Sequence, residues 1–172
     1  MLDGTYSRTT DGVILAFERR MDRPIEKIWA VLTVPERIAD WMGEAELDPR
    51  VGGRFHLKWH GSQGEMNGVI TAYEPPRLFE HTWNEDNGVA PSRVRWSLTP
   101  DGAGCILALA HIFPEIDDQN LLGFAGGWGD FLEVIPRVAG GIADHGSSEN
   151  YRRLRCGYAE KFGIDDTASA AS

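Results

Sequence analysis

The feature that most constrains the fold is the stretch of residues 118–138. Its apolar residues recur at steps of three and four, which is the pattern of one face of an α-helix. Asp118 is suited to cap the start of this helix, where Asp117 adds favourable negative charge. Four glycines each cost about 0.5–1 kcal/mol relative to alanine, so tertiary packing must stabilise the helix. The apolar face consists of Leu121, Phe124, Ala125, Trp128, Phe131, Leu132 and Ile135.

The length and charge of the chain limit its organisation and its partners. The 172 residues suit one domain, which we expect to span residues 1–163 and to be followed by a disordered tail at 164–172. A net charge of −9 without a basic stripe argues against nucleic-acid binding. Membrane insertion is not expected, since no apolar run approaches about 20 residues.

Two features of the sequence bear on cellular location: the N-terminal residues and the number of cysteines. Residues 1–12 are polar and lack the apolar core of a signal peptide. Cys105 and Cys156 are the only cysteines, and a domain of this size needs no disulfide. A reducing, cytoplasmic location is the simplest interpretation.

The apolar pattern has a period of two over residues 12–21 and again between residues 44 and 113, with turn residues between successive segments. Such segments favour an antiparallel meander. Two short helices are expected near the start, at residues 24–32 and 35–42, and a last helix is expected to be capped by Ser148 and closed by Gly163. The predicted strands are residues 12–21, 54–60, 68–73, 78–84, 93–98 and 105–113.

This order predicts an α+β fold in which a curved antiparallel sheet of six or seven strands wraps around the long helix. A sheet of that size twists, and its apolar face needs the helix as cover. A cavity remains between sheet and helix if side chains do not fill it. The two short helices are expected to close one end.

Several segments in this order make the chain similar to the START-like SRPBCC superfamily with its helix-grip fold. More narrowly, it resembles the family of the activator of heat-shock-protein ATPase (AHSA-like). The resemblance spans residues 13–138, with a weaker match at 158–163, whereas residues 123–129 and 140–148 look atypical. The matching segments are Pro24-Ile25-Glu26-Lys27-Ile28-Trp29, Leu32-Thr33, Pro35, Ile38, Trp41, Gly52-Gly53-Arg54-Phe55, Gly68-Val69-Ile70, Glu74-Pro75-Pro76-Arg77-Leu78, Thr82-Trp83, Leu107 to His111 and Gly127-Trp128.

Histidines and aromatic residues are the candidates for chemistry. His56 and His60 stand about 13 Å apart on a straight strand, too far to share one metal ion, so we expect a solvated polar face and no metal. His111 is either a satisfied core histidine or a group that orients a ligand. The tryptophans either line a pocket or fill the core. The predicted ligand-binding set is Trp59, Trp83, Trp96, Leu109, His111, Phe124, Trp128 and Phe131.

Three functions remain open. The first is binding of a small hydrophobic or aromatic molecule in the cavity between sheet and long helix. The second is an enzyme of cyclase, dehydratase or hydrolase type in the same cavity, since the resemblance includes polyketide cyclases. The third is a chaperone-partner module, as the family name implies. No catalytic residue can be assigned, and no cofactor is expected.

The glycines of the long helix predict a packing surface. By helical periodicity, Gly123 and Gly126 lie on the face opposite Trp128, so they should not make room for a ligand. Small residues allow another backbone to approach closely. We expect the last helix to pack there, and the alternatives are a second copy of the chain in a two-fold homodimer or a frayed helix start.

Overall fold

A computed structural model describes residues 1–168 of the protein, with eight strands and four helices in that range. All eight of these strands precede the long helix in the chain. In chain order the elements are β1 (Thr5–Thr9), β2 (Gly12–Met21), α1 (Ile25–Thr33), α2 (Pro35–Ile38), β3 (Gly43–Leu47), β4 (Arg54–Trp59), β5 (Glu65–Glu74), β6 (Leu78–Glu85), β7 (Ser92–Asp101), β8 (Gly104–Phe113), α3 (Asp118–Ala139) and α4 (Ser148–Phe162).

The strands form one curved antiparallel sheet in the order β1-β2-β8-β7-β6-β5-β4-β3. Strands β3 to β8 follow one another as a meander, and β2 closes onto β8 with Val13 opposite Phe113 and Met21 opposite Cys105. The predicted α+β arrangement, in which the sheet wraps the long helix, is confirmed. The described sheet has eight strands rather than the six or seven predicted, because β1 and β3 were not foreseen.

Two helix starts differ by one residue from the prediction. Asp117, not Asp118, caps α3, because its carboxylate accepts a hydrogen bond from the Asn120 backbone N–H at 2.9 Å. This bond lowers the pKa of Asp117. Ser147, not Ser148, caps α4 by accepting from the Asn150 N–H at 3.0 Å.

The second short helix is also shorter than predicted. Helix α2 ends at Ile38, and turns continue the chain through residues 39–42. Trp41 is nevertheless buried, as expected, and its indole donates a hydrogen bond to the Val31 carbonyl oxygen at 3.0 Å. The short helices thus contribute core side chains where α1 packs against α3 and β7.

Helix α4 covers the glycine face of α3, as predicted. A Cβ atom placed on Gly126 would lie 3.2 Å from the Tyr151 carbonyl oxygen and 3.1 Å from the Arg155 Cβ. The same face holds Asp130, which is buried. Its carboxylate accepts hydrogen bonds from the Ser147 backbone N–H and the Asn150 side chain, both from the start of α4. Close backbone approach and this carboxylate together fix α4 on α3.

The chain after α4 makes specific contacts as far as it is described. The Ile164 N–H donates to the Ala159 carbonyl oxygen at 3.0 Å, and the Asp166 carboxylate pairs with Arg155 at 2.9 Å. The rest of the predicted tail, residues 169–172, lies outside the described residues. Within residues 1–168, no helix combines the length and apolarity that crossing a membrane requires.

Candidate functional site

A groove rich in aromatic residues lies between α3 and the inner face of β4 and β6. Its volume is about 150 Å³, and we call it the aromatic groove. It contains five of the eight side chains in the predicted ligand-binding set. Its lining residues are Trp59, Trp83, Glu85, Gly123, Phe124, Gly127, Trp128 and Phe131.

The aromatic rings of the groove form a connected group. Trp59 stacks nearly parallel to Phe131, with ring centroids 6.2 Å apart and an angle of 8° between the planes. Trp83 contacts Trp59 at 5.6 Å and Trp128 at 5.3 Å. These separations lie in the range of favourable aromatic pairs, so each ring helps to hold its neighbours in place.

Sequence spacing explains why these residues meet. Phe124, Trp128 and Phe131 lie at i, i+4 and i+7 on α3, which puts them on one helix face. Gly127 brings bare helix backbone to the groove wall, and a Cβ atom placed there would meet nothing within 4 Å. Gly123 also borders the groove, but a Cβ atom placed on it would point towards Arg155 and Tyr151 of α4, as expected for the face opposite Trp128.

His111 lies behind the groove rather than in it. The Trp128 indole N–H donates to its Nδ1 at 3.0 Å, so that nitrogen carries no proton. The proton therefore sits on Nε2, which lies 2.7 Å from the Ser92 hydroxyl oxygen and donates to it. Complete burial lowers the pKa of His111 well below its usual value. The imidazole is a neutral core group with both nitrogens engaged, and it fixes the orientation of Trp128.

Two other members of the predicted set also lie outside the groove lining. Trp96 is buried between α3 and the sheet, with its ring 5.4 Å from that of Trp128. Leu109 is buried on β8 opposite Trp96. These two side chains, with His111, fill the core behind the aromatic rings.

One polar group of the groove lacks a partner. The Trp83 indole Nε1 is fully buried, and no acceptor in the described residues meets hydrogen-bond geometry with it. The carboxyl that it faces is Glu85, and the influence of the Trp83 and Trp59 indoles lowers the pKa of that carboxyl. Partial burial has the larger effect, so the pKa of Glu85 is raised overall. Buried indole N–H groups usually find an acceptor, which makes Trp83 an exception that needs explanation.

The family of the chain follows from its sequence and agrees with this architecture. Residues 22–140 match the model of the family described as Activator of Hsp90 ATPase homolog 1-like protein. The chain belongs to this family. No curated protein matches the sequence.

Solved structures extend the likeness over most of the chain. CalU16 from Micromonospora echinospora is 26% identical with a TM-score of 0.74, covering 93% of this chain and 94% of CalU16. The protein encoded by gene BPP1335 from Bordetella parapertussis is 25% identical with a TM-score of 0.70, covering 91% and 95%. EF2215 from Enterococcus faecalis, at 18% identity and a TM-score of 0.75 over 93% and 90%, shares the fold. The START-like, AHSA-like assignment is therefore confirmed.

In this family member a second depression adjoins the aromatic groove and shares Trp59 and Glu85 with it. Its volume is about 490 Å³, and we call it the acidic shelf because three carboxyl groups line it. Its further lining residues are Gln63, Gly64, Glu65, Asn67, Asp86 and Asn87. The groove and the shelf form one continuous surface, apolar at the helix and acidic at the β4–β5 and β6–β7 turns.

The two histidines near the shelf have separate partners. His56 is buried, contrary to our expectation of a solvated face, and its Nε2 lies 3.0 Å from the Glu65 carboxylate. This contact lowers the pKa of Glu65. His60 is exposed, with Nε2 2.6 Å from the Ala39 carbonyl oxygen and its ring 4.2 Å from that of His145. The imidazoles therefore point to different neighbours.

Two larger depressions lie elsewhere, with volumes of about 390 and 460 Å³. One is formed by the β6–β7 and β8–α3 loops, and the other lies on the outer face of β2, β8 and β7. Neither collects a group of aromatic rings. We therefore assign the candidate site to the aromatic groove despite its smaller size.

The sequence analysis missed Glu85, although a usable signal existed. Residues two apart on a strand lie on the same face, so Glu85 had to share the face of Trp83. A carboxylate two positions from an inward-facing tryptophan at the end of a strand indicates the mouth of a site. Gly127 was also missed, since its role depends on where the groove opens.

Proposed function

We propose that the protein binds a small, mainly apolar or aromatic molecule in the aromatic groove. The observation that carries this proposal is the group of five aromatic side chains around a solvent-accessible recess, with the Trp83 indole N–H buried at its wall without a partner among the described residues. Binding sites are typically concave and apolar, with a few polar groups that orient the ligand. Trp83 and Glu85 are such groups here.

The size of the groove supports a ligand with one inserted ring. An apolar cavity of about 150 Å³ is large enough for a benzene-sized molecule. A larger ligand would place one ring among the tryptophans and extend its remainder over the acidic shelf. The groove and the shelf together fall within the range of volumes for drug-sized ligands, about 300–1,000 Å³.

The catalytic alternative has less support from the contacts of the described residues. An enzyme of this type would need a polar pair at the ligand, but both nitrogens of His111 are engaged in the core by Ser92 and Trp128. Glu85 is the one ionisable side chain that lines the aromatic groove. A single carboxyl can transfer a proton but supplies no second group for a cyclisation or dehydration step. Binding is therefore the proposal, and chaperone partnership remains the third hypothesis.

A graded substitution of Gly127 tests the proposal. Because a Cβ atom there meets nothing within 4 Å, Gly127→Ala and Gly127→Leu should fill the groove in two steps without disturbing α4. We expect the neutral fluorophore N-phenyl-naphthylamine to bind the wild type saturably, more weakly with alanine and at least about tenfold more weakly with leucine. Cys156→Leu, on the exposed side of α4, is the control for added apolar surface.

The measurement is a fluorescence titration with circular dichroism to verify folding of each variant. Absence of saturable binding in the wild type would refute the proposal. Equal affinity of wild type and Gly127→Leu would place the fluorophore elsewhere and refute the assignment to this groove.

A further inference from the structure

We propose that the ligand of the aromatic groove is an organic cation, with an apolar body among the tryptophan rings and a protonated amine or quaternary ammonium group beside Glu85. This inference rests on the proposed function and goes further by naming the ligand class. The observations that carry it are the charge of the site, the geometry of the rings around Glu85 and the unpartnered Trp83 indole.

The charge of the combined site has one sign. Glu65, Glu85 and Asp86 line the shelf, and among the described lining residues of groove and shelf none is a lysine, arginine or histidine. Glu65 is partnered by His56 from behind the shelf. Glu85 accepts a hydrogen bond from the Asn87 amide at 2.5 Å and has no ion-pair partner among residues 1–168. Its charge is therefore left for a ligand to neutralise.

The aromatic rings offer a second attraction for the same charge. A cation within about 6 Å of a tryptophan centroid is attracted by the negative face of the ring. Trp83 and Glu85 lie two residues apart on one face of β6, a separation of about 7 Å along the strand. Trp59 adjoins both the groove and the shelf. A single ammonium group between these side chains can contact the carboxylate and the rings together.

The Trp83 indole supplies an independent indication of a missing component. Trp83 is 4% exposed, and its N–H can only donate. The Glu85 carboxyl is near enough for the indole to act on it as a donor and lower its pKa, but the contact does not meet the geometry of a formed hydrogen bond. With a cation bound, an inward rotation of Glu85 would let its carboxylate accept from the indole while keeping contact with the positive charge. The free-energy cost of desolvating the carboxylate is then offset by the hydrogen bond from the indole and by the positive charge of the ligand.

A neutral ligand with a carbonyl oxygen is the competing chemistry, since that oxygen would also accept from Trp83. The two classes differ in their dependence on Glu85. A carboxylate attracts a cation, but it disfavours an electron-rich carbonyl placed beside it. Removing the charge of Glu85 should therefore weaken a cation and leave a carbonyl ligand unchanged or slightly tighter.

Three probes of matched shape separate these outcomes. They are naphthylmethyl-trimethylammonium, its uncharged carbon isostere neopentylnaphthalene, and acetylnaphthalene. Dissociation constants are measured by quenching of tryptophan fluorescence and by calorimetry. For the wild type we expect the cation to bind about tenfold tighter than neopentylnaphthalene. For Glu85→Gln we expect that advantage to fall to about twofold or less, with neopentylnaphthalene unaffected.

Glu160→Gln is the matched control, because it removes one negative charge from the exposed side of α4. It should keep the tenfold preference. Equal affinity of cation and isostere would overturn the inference and leave the proposed function intact. Tightest binding of acetylnaphthalene would replace the cation by a carbonyl acceptor. No binding of any probe would refute the proposed function and the inference with it.

Discussion

At the scale of single residues, two tryptophans of the same groove differ in one respect. The Trp128 indole N–H donates to His111, and His111 in turn donates to Ser92, so a chain of hydrogen bonds links α3 to β8 and β7. The Trp83 indole N–H has no such acceptor. Buried polar groups in folded proteins are nearly always satisfied, so under the proposed function the acceptor that Trp83 needs belongs to a bound ligand.

The burial of a second histidine, His81, allows a prediction of how the free energy of unfolding depends on pH. Burial lowers the pKa of His81 from 6.5 to about 4. Between these values the unfolded chain binds a proton that the folded protein excludes, so stability is greatest above pH 6.5 and falls as the pH decreases towards 4. The loss from His81 should be on the order of 3 kcal/mol over this window, and His111 acts in the same direction.

Urea unfolding between pH 7.5 and pH 5 measures this dependence while most carboxyl groups stay ionised. His81→Phe should make the pH dependence shallower, because its neighbours Phe55 and Phe79 accommodate another ring. His145→Gln, at an exposed histidine, should leave the slope unchanged. A stability that is constant over the window, or an unaltered slope in His81→Phe, would contradict the prediction.

At the scale of elements, the sequence predicted the strands that are covered on a face and missed those at the sheet edges. The alternation of β2 was recognised over its full length because every second residue is buried. Strand β1 contains no buried residue, and β3 buries only Gly43, so neither carries a period-two signal. Both are edge strands whose formation depends on pairing with a neighbour.

The burial of His56 shows a second limit of periodicity. In β4 three consecutive residues, Phe55 to Leu57, are buried, so both faces of this strand are covered there. Alternation identifies the two faces but not whether the polar one is also covered. The polar face at His56 is covered because His56 contacts Glu65 of β5, and this contact is visible only in the folded structure.

The packing of α4 on α3 predicts opposite effects for two adjacent glycines. Leucine at Gly126 must displace Tyr151 and Arg155, with a cost of about 1–3 kcal/mol for overpacking. Leucine at Gly127 points into the open groove and should stabilise α3 by about 0.5–1 kcal/mol through helix propensity. Urea unfolding and mass in solution are the measurements. Equal stability of the two variants would show that α4 does not pack as described.

At the scale of the whole molecule, the site arises from residues that fill most of the space between sheet and helix. Five aromatic side chains of the predicted set line one groove, but the sequence could not separate the residues that line it from those that fill the core. Trp96, Leu109 and His111 are buried on the inner face of the sheet, as Trp83 is, but they do not line the groove. Where the groove opens depends on how the sheet curves around α3, which apolar spacing does not encode.

The different depths of Trp128 and Trp59 give the last prediction. Trp128 is 3% exposed, contacts Trp83 and Trp96, and donates to His111. Trp128→Ala should therefore cost about 3–5 kcal/mol of unfolding free energy, since it opens the core and leaves a buried imidazole nitrogen unpaired. Trp59 is half-buried at the end of β4, so Trp59→Ala should cost clearly less while abolishing binding of the aromatic probe.

Trp128→Phe separates the two parts of the Trp128 effect. It retains most of the apolar ring but removes the donor to His111, so its cost should be about 1–3 kcal/mol, the usual range for an unsatisfied buried group. Urea unfolding and probe titration on all three variants provide the measurement. If Trp128→Ala proved no more destabilising than Trp59→Ala, Trp128 would line an open space, and the division between core and groove drawn from the contacts of α3 would be wrong.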